Sequence, residues 1–175
     1  YEVLRFLNDD KNLVRSIFWN MTLWSVCTFC AIWILQKLWT ELDLDLWGLS
    51  LFWAFCNLSA AAMGKWAPRL EVRFGARKTV VIMMVLPVMA YLVMGFSSGP
   101  YTCILGVFFY YARGINFGVL KEAFNHRLPA KFRNTANSMT SLTFRLGFFI
   151  LGPIIGFIID EYGVSKALII LGVFF

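Results

Sequence analysis

Two arginines lie inside long apolar stretches of this sequence. Arg113 is the single formal charge within residues 100–120, and Arg145 is the single formal charge within residues 134–159. A charged side chain at the centre of a bilayer costs at least about 2.5 to 3.5 kcal/mol, so both guanidinium groups are expected to face protein or water. Each arginine is therefore a candidate for contact with an anionic group of a ligand, or for balancing an acid elsewhere in the protein.

Uncharged polar residues recur at three- and four-residue spacing on the same stretches, which places them on one face of a helix. Two earlier apolar stretches carry further polar residues of this kind. The pattern predicts helices around a wet cavity, although side chains of these types also serve simply to hydrogen-bond helices together. The cavity candidates are Asn20, Trp24, Thr28, Asn57, Tyr110, Arg113, Asn116, Asn137, Ser138, Ser141 and Arg145.

Residues typical of enzyme or metal chemistry are sparse. Cys27 and Cys30 form a C-x-x-C inside an apolar stretch, with no second pair or nearby histidine, so neither a metal site nor redox chemistry is expected. His126 lies in a basic segment and is expected to be solvated. Without a catalytic triad, paired carboxylates or a phosphate-binding loop, the sequence predicts a protein that is not an enzyme and uses no cofactor.

The composition predicts a protein embedded in lipid. Hydrophobic residues make up 59% of the 175 residues and charged residues only 15%, and the mean hydropathy is +0.69. Soluble domains have about a quarter of their residues charged. The formal charge of +6 does not indicate a nucleic-acid partner, because the basic residues sit in short segments between apolar runs.

Runs of about 20 apolar residues predict membrane-spanning helices, since an open sheet in lipid would leave backbone groups unpaired. The expected fold is an all-α, multi-pass helix bundle in which the third span, without polar residues on one face, faces lipid. A lead-in at 1–15 precedes a half-bundle at 16–175. The expected spans are 16–39, 46–64, 79–96, 100–120, 134–159 and a truncated 167–175.

The distribution of charge predicts the orientation. Twelve lysines and arginines fall in the leading segment and in the segments after the second and fourth spans, whereas the other side has only Lys37 and Lys166. Loops rich in Lys and Arg face the cytoplasm. The N-terminal end and the basic loops are therefore expected on the cytoplasmic side.

A shift of 88 residues aligns Gly64 with Gly152 and Gly75 with Gly163. This shift moves three spans along, and an odd number of spans reverses the direction of crossing. The sequence therefore predicts two inverted three-helix repeats, as in many carriers. Small residues at Gly114-x-x-x-Gly118 and Gly152-Pro153-x-x-Gly156 further predict close helix packing.

Two stretches resemble the major facilitator superfamily. VRFGARK matches its loop motif after the second span at Arg73, Gly75, Arg77 and Lys78, but Val72 stands in the place of the acid. The second stretch, LPAKFRNTANSMTSLTFRLGFFILGPIIGFIIDEYG, is similar to the tenth-to-eleventh helix region of bacterial members. The incomplete motif favours the C-terminal half over the N-terminal half. The resemblance assigns a conformational-switch loop to Gly64, Glu71, Arg73, Gly75, Arg77 and Lys78.

The resemblance implies a secondary transporter in the cell membrane, an inner membrane, that opens a central site alternately to each side. The first residue is not Met and the last lies in an apolar run, so a fragment is expected. Its partners would be a small-molecule substrate, the lipid bilayer and the N-terminal half of the same transporter. The competing hypothesis is a structural or receptor-like membrane subunit that binds a ligand without moving it.

Overall fold

The computed structural model describes residues 12–42, 45–97 and 102–175, with no side chain described for Asn12 or Cys103. These residues form an all-α fold, and no strand occurs among them. Residues 1–11 of the expected lead-in lie outside the described part. The helices are α1 (Asn12–Glu41), α2 (Leu46–Phe74), α3 (Ala76–Phe96), α4 (Thr102–Leu105), α5 (Val107–Ile115), a π-helical segment (Asn116–Leu120), α6 (Lys121–Arg127), α7 (Ala130–Tyr162) and α8 (Val164–Phe174).

Within the described residues, four helices are long and apolar enough to cross a membrane: α1, α2, α3 and α7. At about 1.5 Å per residue, the 21 residues of α3 span roughly 30 Å, which is the thickness of the hydrocarbon core. The other three helices are longer than the bilayer requires. These four helices indicate a membrane-embedded protein.

Residues 102–127 form a nearly continuous helical run. The backbone stays in the right-handed helical region at Gly106, Ile115, Leu120 and Lys121, where one segment passes into the next. Within the run, the Lys121 N–H donates to the Asn116 carbonyl five residues earlier, which defines the π-helical turn. The run therefore acts as one rod with a widened turn near its middle.

The helices pack in pairs that are not neighbours in sequence. α1 lies against α7, α2 lies against α5 and the π-helical segment, and α3 lies against both α8 and α5. Aromatic side chains fill the interior, and Trp39, Tyr91, Tyr110, Phe109 and Phe124 are all fully buried. Polar residues on α1, the 102–127 run and α7 are thereby brought to a common region.

Glycines allow α2 and the 102–127 run to meet at backbone distance. A Cβ added at Gly114 would lie 2.5 Å from the Ala60 carbonyl oxygen, and one at Gly118 would lie 2.5 Å from the Gly64 carbonyl oxygen. This is the close contact that the Gly-x-x-x-Gly spacing predicts. The space around Gly156 is open by contrast, so the second small-residue motif makes no such contact there.

Two tight turns have the same backbone geometry. Gly75 ends α2 with φ 84° and ψ 153°, and Gly163 ends α7 with φ 84° and ψ 163°. In each turn the glycine N–H donates to a carbonyl four residues earlier, that of Glu71 at 2.8 Å or of Ile159 at 2.9 Å. This region of φ and ψ is essentially restricted to glycine.

The helices differ in how much of their surface they bury. α2 and α7 expose most of their length, including large apolar side chains such as Leu58 and Phe149. α3 buries one face through Met83, Tyr91 and Met94 and exposes the other. The third span is therefore a packed helix with one apolar outer face, and broad apolar surfaces of this kind suit contact with lipid or another helix bundle.

Candidate functional site

Two adjoining clefts lie between α1, the 102–127 run and α7. The first, here called the amide cleft, has a volume of about 70 Å³. Its lining residues are Met21, Ser25, Asn116, Phe117, Lys121, Asn137, Thr140, Ser141 and Phe144. Polar residues from three helices therefore meet at one place.

The second cleft, here called the arginine cleft, has a volume of about 40 Å³. It is lined by Ser25, Thr28, Phe29, Arg113, Phe117 and Phe144. Ser25, Phe117 and Phe144 line both clefts, so the two share a wall. A single elongated ligand could contact both clefts.

Asn116 lies in the widened π-helical turn and is only 5% exposed. Its Nδ2 donates to the Met21 carbonyl at 3.2 Å and lies 3.3 Å from Ser25 Oγ. The Ser25 hydroxyl also donates to the Met21 carbonyl, at 2.7 Å. The amide nitrogen therefore ties the 102–127 run to α1, while Asn116 Oδ1 is buried without a hydrogen-bond partner among the described residues.

Asn137 repeats this arrangement on α7. Its Nδ2 donates to Asn125 Oδ1 at 2.7 Å, and its own Oδ1 is buried without a partner among the described residues. A buried polar atom left unpaired costs about 1 to 3 kcal/mol, which is why such atoms in native proteins call for a ligand or a bound water. Both unpaired oxygens thus belong to residues that line the amide cleft.

Asn116 and Phe117 are the first two residues of the π-helical turn. A π-helical turn adds one residue to the helix and rotates the residues that follow, and such turns are frequent at functional sites. Asn116 opens the widened turn and contacts α1, while the neighbouring Phe117, 53% exposed, lines both clefts. Hydropathy and helical spacing carry no sign of this turn.

The charges around the clefts are positive. Arg113 is half-buried in the arginine cleft. Arg145 is exposed, and its guanidinium carbon lies 5.8 Å from the centre of the Phe144 ring. Lys121 Nζ lies 4.7 Å from the centre of the Phe117 ring. No carboxylate lines either cleft in the described part of the chain, so an anion would be attracted there.

Five of the predicted cavity residues line the clefts, and a sixth lies beside them. Thr28 and Arg113 line the arginine cleft, whereas Asn116, Asn137 and Ser141 line the amide cleft. Arg145 lines neither cleft, but its guanidinium carbon lies near the ring of Phe144, which lines both.

The other predicted cavity residues lie elsewhere. Trp24 and Tyr110 are buried in the core. Asn20 and Asn57 donate to main-chain carbonyls of their own helices, those of Ser16 and Trp53, and Ser138 is exposed away from the clefts. Thr28 also bonds its own helix, through the Trp24 carbonyl at 2.9 Å.

Sequence reasoning missed Ser25, Phe117, Lys121, Thr140 and Phe144. Ser25 had a detectable signal, because it lies three residues before Thr28 and therefore on nearly the same helix face. The two phenylalanines had none, since aromatic residues are abundant throughout this chain.

The expected switch loop is largely helical. Gly64, Glu71 and Arg73 lie within α2, Gly75 forms the turn, and the two remaining residues, Arg77 and Lys78, open α3. Among the described residues, none of the four charged side chains in this segment forms an ion pair. The segment thus consists of the end of α2, the Gly75 turn and the start of α3, and its four charged side chains lie beyond the apolar part of α2.

Groups that could hold a metal are not gathered in one place. Among the described residues, no cluster of three His, Cys, Asp or Glu side chains occurs. Cys27 and Cys30 are buried free thiols, and His126 is exposed near the end of α6.

Comparison of the chain with protein-family models, with characterised proteins and with solved structures gives no match.

Proposed function

We propose that this chain is the C-terminal six-helix half of a secondary active transporter of major facilitator type, which moves a small solute by alternating access. The observation that carries the proposal is the placement of Arg113. Its half-buried guanidinium lines a cleft shared by three helices, with no carboxylate in that cleft among the described residues. A charge placed at such cost within an apolar helix indicates a functional site.

The two glycine turns support an inverted repeat. Gly75 and Gly163 are 88 residues apart and share one uncommon backbone geometry. The first three-helix repeat is α1, α2 and α3, and the second is the 102–127 run, α7 and α8. In each repeat the glycine turn joins the second helix to the third. Matching turns at matching places are what an internal duplication would leave behind.

The packing of the helices agrees with the same symmetry. Taking the 102–127 run as the fourth helix, α7 as the fifth and α8 as the sixth, the first helix packs on the fifth and the second on the fourth. Exchange of the two triplets converts the first contact into the second. The contact of α3 with α8 is converted into itself, and that of α2 with α3 into that of α7 with α8.

The exposed faces of α2 and α7 fit a second half-bundle. Both helices bury little of their surface, and α7 also lines both clefts. In the proposed transporter the N-terminal half packs on these faces and closes the central cavity. The protein lies in the cell membrane with its N-terminal end and basic segments in the cytoplasm.

Transport by the complete protein in proteoliposomes tests the role of Arg113. Arg113→Leu should lower uptake or efflux at least about tenfold, because a charge-assisted hydrogen bond contributes roughly 1.5 to 3 kcal/mol. Arg113→Lys keeps the charge and should retain part of the activity, and Arg145→Leu should have the smaller effect because Arg145 is exposed. Unchanged transport in both Arg113→Leu and Arg145→Leu would defeat the proposal.

Accessibility labelling separates a carrier from a subunit that binds a ligand without moving it. A cysteine at Ser141, which is exposed and lines the amide cleft, should react with an impermeant maleimide from each side of the membrane in turn. Native Cys27, Cys30 and Cys56 are buried, and Cys103 would be replaced by serine. A cysteine at Leu46, 82% exposed at the start of α2, should react from one side only. Reaction of Ser141→Cys from one side alone favours the non-transporting alternative.

A further inference from the structure

The orientation of the Asn116 amide is fixed by its surroundings. The Met21 carbonyl can only accept a hydrogen bond, so the amide nitrogen must face it and the amide oxygen must point elsewhere. That oxygen is buried and unpartnered in a residue that lines the amide cleft. Any group that satisfies it must donate a hydrogen bond.

Asn137, which lines the same cleft, carries a second unpaired acceptor. Its amide nitrogen is engaged by Asn125 Oδ1, which leaves its oxygen unfilled. The two amide oxygens come from different helices, and the nitrogen of each amide already donates a hydrogen bond within the protein. This end of the paired clefts therefore favours a ligand group that donates a hydrogen bond. A carboxylate can only accept, so it could not satisfy either oxygen.

The surrounding charge excludes a cationic donor. Lys121 lines the amide cleft, and Arg113 lines the arginine cleft. An ammonium or metal cation would meet like charge, with no lining carboxylate to offset it in the described residues. The donor is therefore a neutral O–H or N–H, and the anionic part of the ligand belongs beside Arg113.

The residues that line both clefts indicate which part of the ligand joins its acid group to its hydrogen-bond donor. Phe117 and Phe144 line both clefts, and Phe29 adds a third ring in the arginine cleft, with its centre 5.6 Å from that of Phe144. Aromatic walls favour a planar apolar segment. The volumes of about 70 and 40 Å³ limit that segment to roughly one ring.

We infer that the paired clefts take a small organic anion in which an apolar segment separates the acid group from a neutral hydrogen-bond donor. The acid contacts Arg113, the apolar segment lies along Phe117 and Phe144, and the donor gives its single hydrogen bond to the free oxygen of Asn137. This inference rests on the proposed transport function and names its substrate class. An anion without the donor, a neutral alcohol and an amine are all discriminated against.

Four related probes test each element of the inference with the complete protein in nanodiscs. 4-Hydroxyphenylacetate carries both groups, phenylacetate lacks the donor, 4-hydroxyphenethyl alcohol lacks the acid, and tyramine replaces the acid by an amine. Calorimetry should show 4-hydroxyphenylacetate binding about tenfold more tightly than phenylacetate, the effect of one buried hydrogen bond. It should also bind more tightly than the alcohol, and tyramine should bind most weakly.

Variants locate each preference within the site. Asn137→Ala should reduce the tenfold ratio between the two acids to about threefold or less, whereas Asn134→Ala, at an exposed asparagine of the same helix, should leave it unchanged. The ratio is used because a general loss of folding weakens both ligands alike. Arg113→Leu should abolish the preference for acid over alcohol, and Lys121→Met should preserve it. If Lys121→Met instead lost the preference for acid over alcohol, the acid group would lie beside Lys121 and not beside Arg113. That result would overturn the inference.

Counterflow of the same probes in proteoliposomes separates this inference from transport itself. Binding in the expected order without counterflow supports the ligand class and counts against the proposed function. Counterflow of tyramine or of the alcohol in preference to 4-hydroxyphenylacetate supports transport and overturns the ligand class. Failure of all four probes to bind at millimolar concentration also overturns it.

Discussion

Tyr91 Oη donates a hydrogen bond of 2.7 Å to the main-chain carbonyl of Cys27, 64 residues earlier in the chain. The bond joins α3 to α1. The Tyr91 side chain is fully buried, and its ring lies edge-on to Phe109 with 4.6 Å between the ring centres. In a helix that carries no polar stripe, this hydroxyl adds one specific hydrogen bond to α1 to the packing of α3 against α5 and α8.

Tyr91→Phe should lower the free energy of unfolding by about 1 kcal/mol, the net contribution of one intramolecular hydrogen bond. The ring contact with Phe109 is kept, so the packing term should not change. Unfolding in mixed detergent micelles, followed by circular dichroism, measures the difference. Tyr162→Phe is the matched control, because Tyr162 is 55% exposed and its hydroxyl is available to solvent. Equal effects of the two substitutions would show that the Tyr91 hydroxyl has no special role.

Gly118→Ala should destabilise the bundle by about 1 to 3 kcal/mol. The new Cβ would lie 2.5 Å from the Gly64 carbonyl oxygen and 2.8 Å from Ala67 Cβ, so the two helices must move apart and lose contact. Gly156→Ala is the control within another helix, since nothing lies within 4 Å of the added Cβ. There alanine should be neutral or stabilising by up to about 1 kcal/mol, the difference in helix propensity.

The same unfolding titration compares both glycine variants with the native protein. The packing assignment predicts a clear loss of stability for Gly118→Ala and no loss for Gly156→Ala. A stabilising effect of Gly118→Ala would mean that the 102–127 run and α2 are not held at backbone distance.

The existence of most helices could be predicted from the sequence, because a long apolar run in lipid can form few structures other than a helix. Their ends were not. The second span was expected at 46–64, whereas α2 continues to Phe74. Hydropathy marks where the chain leaves hydrocarbon, but a helix continues past that point while its residues tolerate helical geometry. Gly75, with its positive φ, ends it.

Only part of the candidate site could be predicted from the sequence. Arg113 and Asn116 stand out because polar groups in apolar runs are costly, and both line the clefts. Tyr110 shares their spacing but is buried in the core, with its ring centre 6.2 Å from that of Trp53. Spacing gives the face of one helix, whereas the pairing of α1 with α7 and the π-helical turn arise from tertiary packing. Ser25 and Phe144 enter the site through that packing.

Gly75→Ala and Gly163→Ala should each cost about 1 to 3 kcal/mol, because both glycines adopt a backbone region that a Cβ makes unfavourable. No neighbour lies within 4 Å of either added Cβ, so the penalty comes from the backbone alone. The two costs should be similar, since the two turns share one geometry. Thermal unfolding of the single variants gives both values.

Asparagine sharpens this comparison. At a left-handed helical position Asn is well tolerated, but with ψ at 153° or 163° these turns lie outside that region. Gly75→Asn and Gly163→Asn should therefore be as costly as the alanine variants. A clear rescue by Asn, or a strong effect at one turn and none at the other, would contradict the shared geometry.

Single-cysteine labelling should give the orientation of the bundle. Arg127 is exposed at the end of α6 in a basic segment, and Trp47 is 76% exposed near the start of α2 beside an acidic one. In the proposed topology, successive spans that cross in alternating directions put these two positions on opposite sides of the membrane. Because basic segments are retained in the cytoplasm, an impermeant maleimide added outside intact cells should label Trp47→Cys and leave Arg127→Cys unlabelled until the membrane is opened. Labelling of Arg127→Cys in intact cells would invert the topology, and labelling of both from the same side would break the alternation of spans on which the cavity depends.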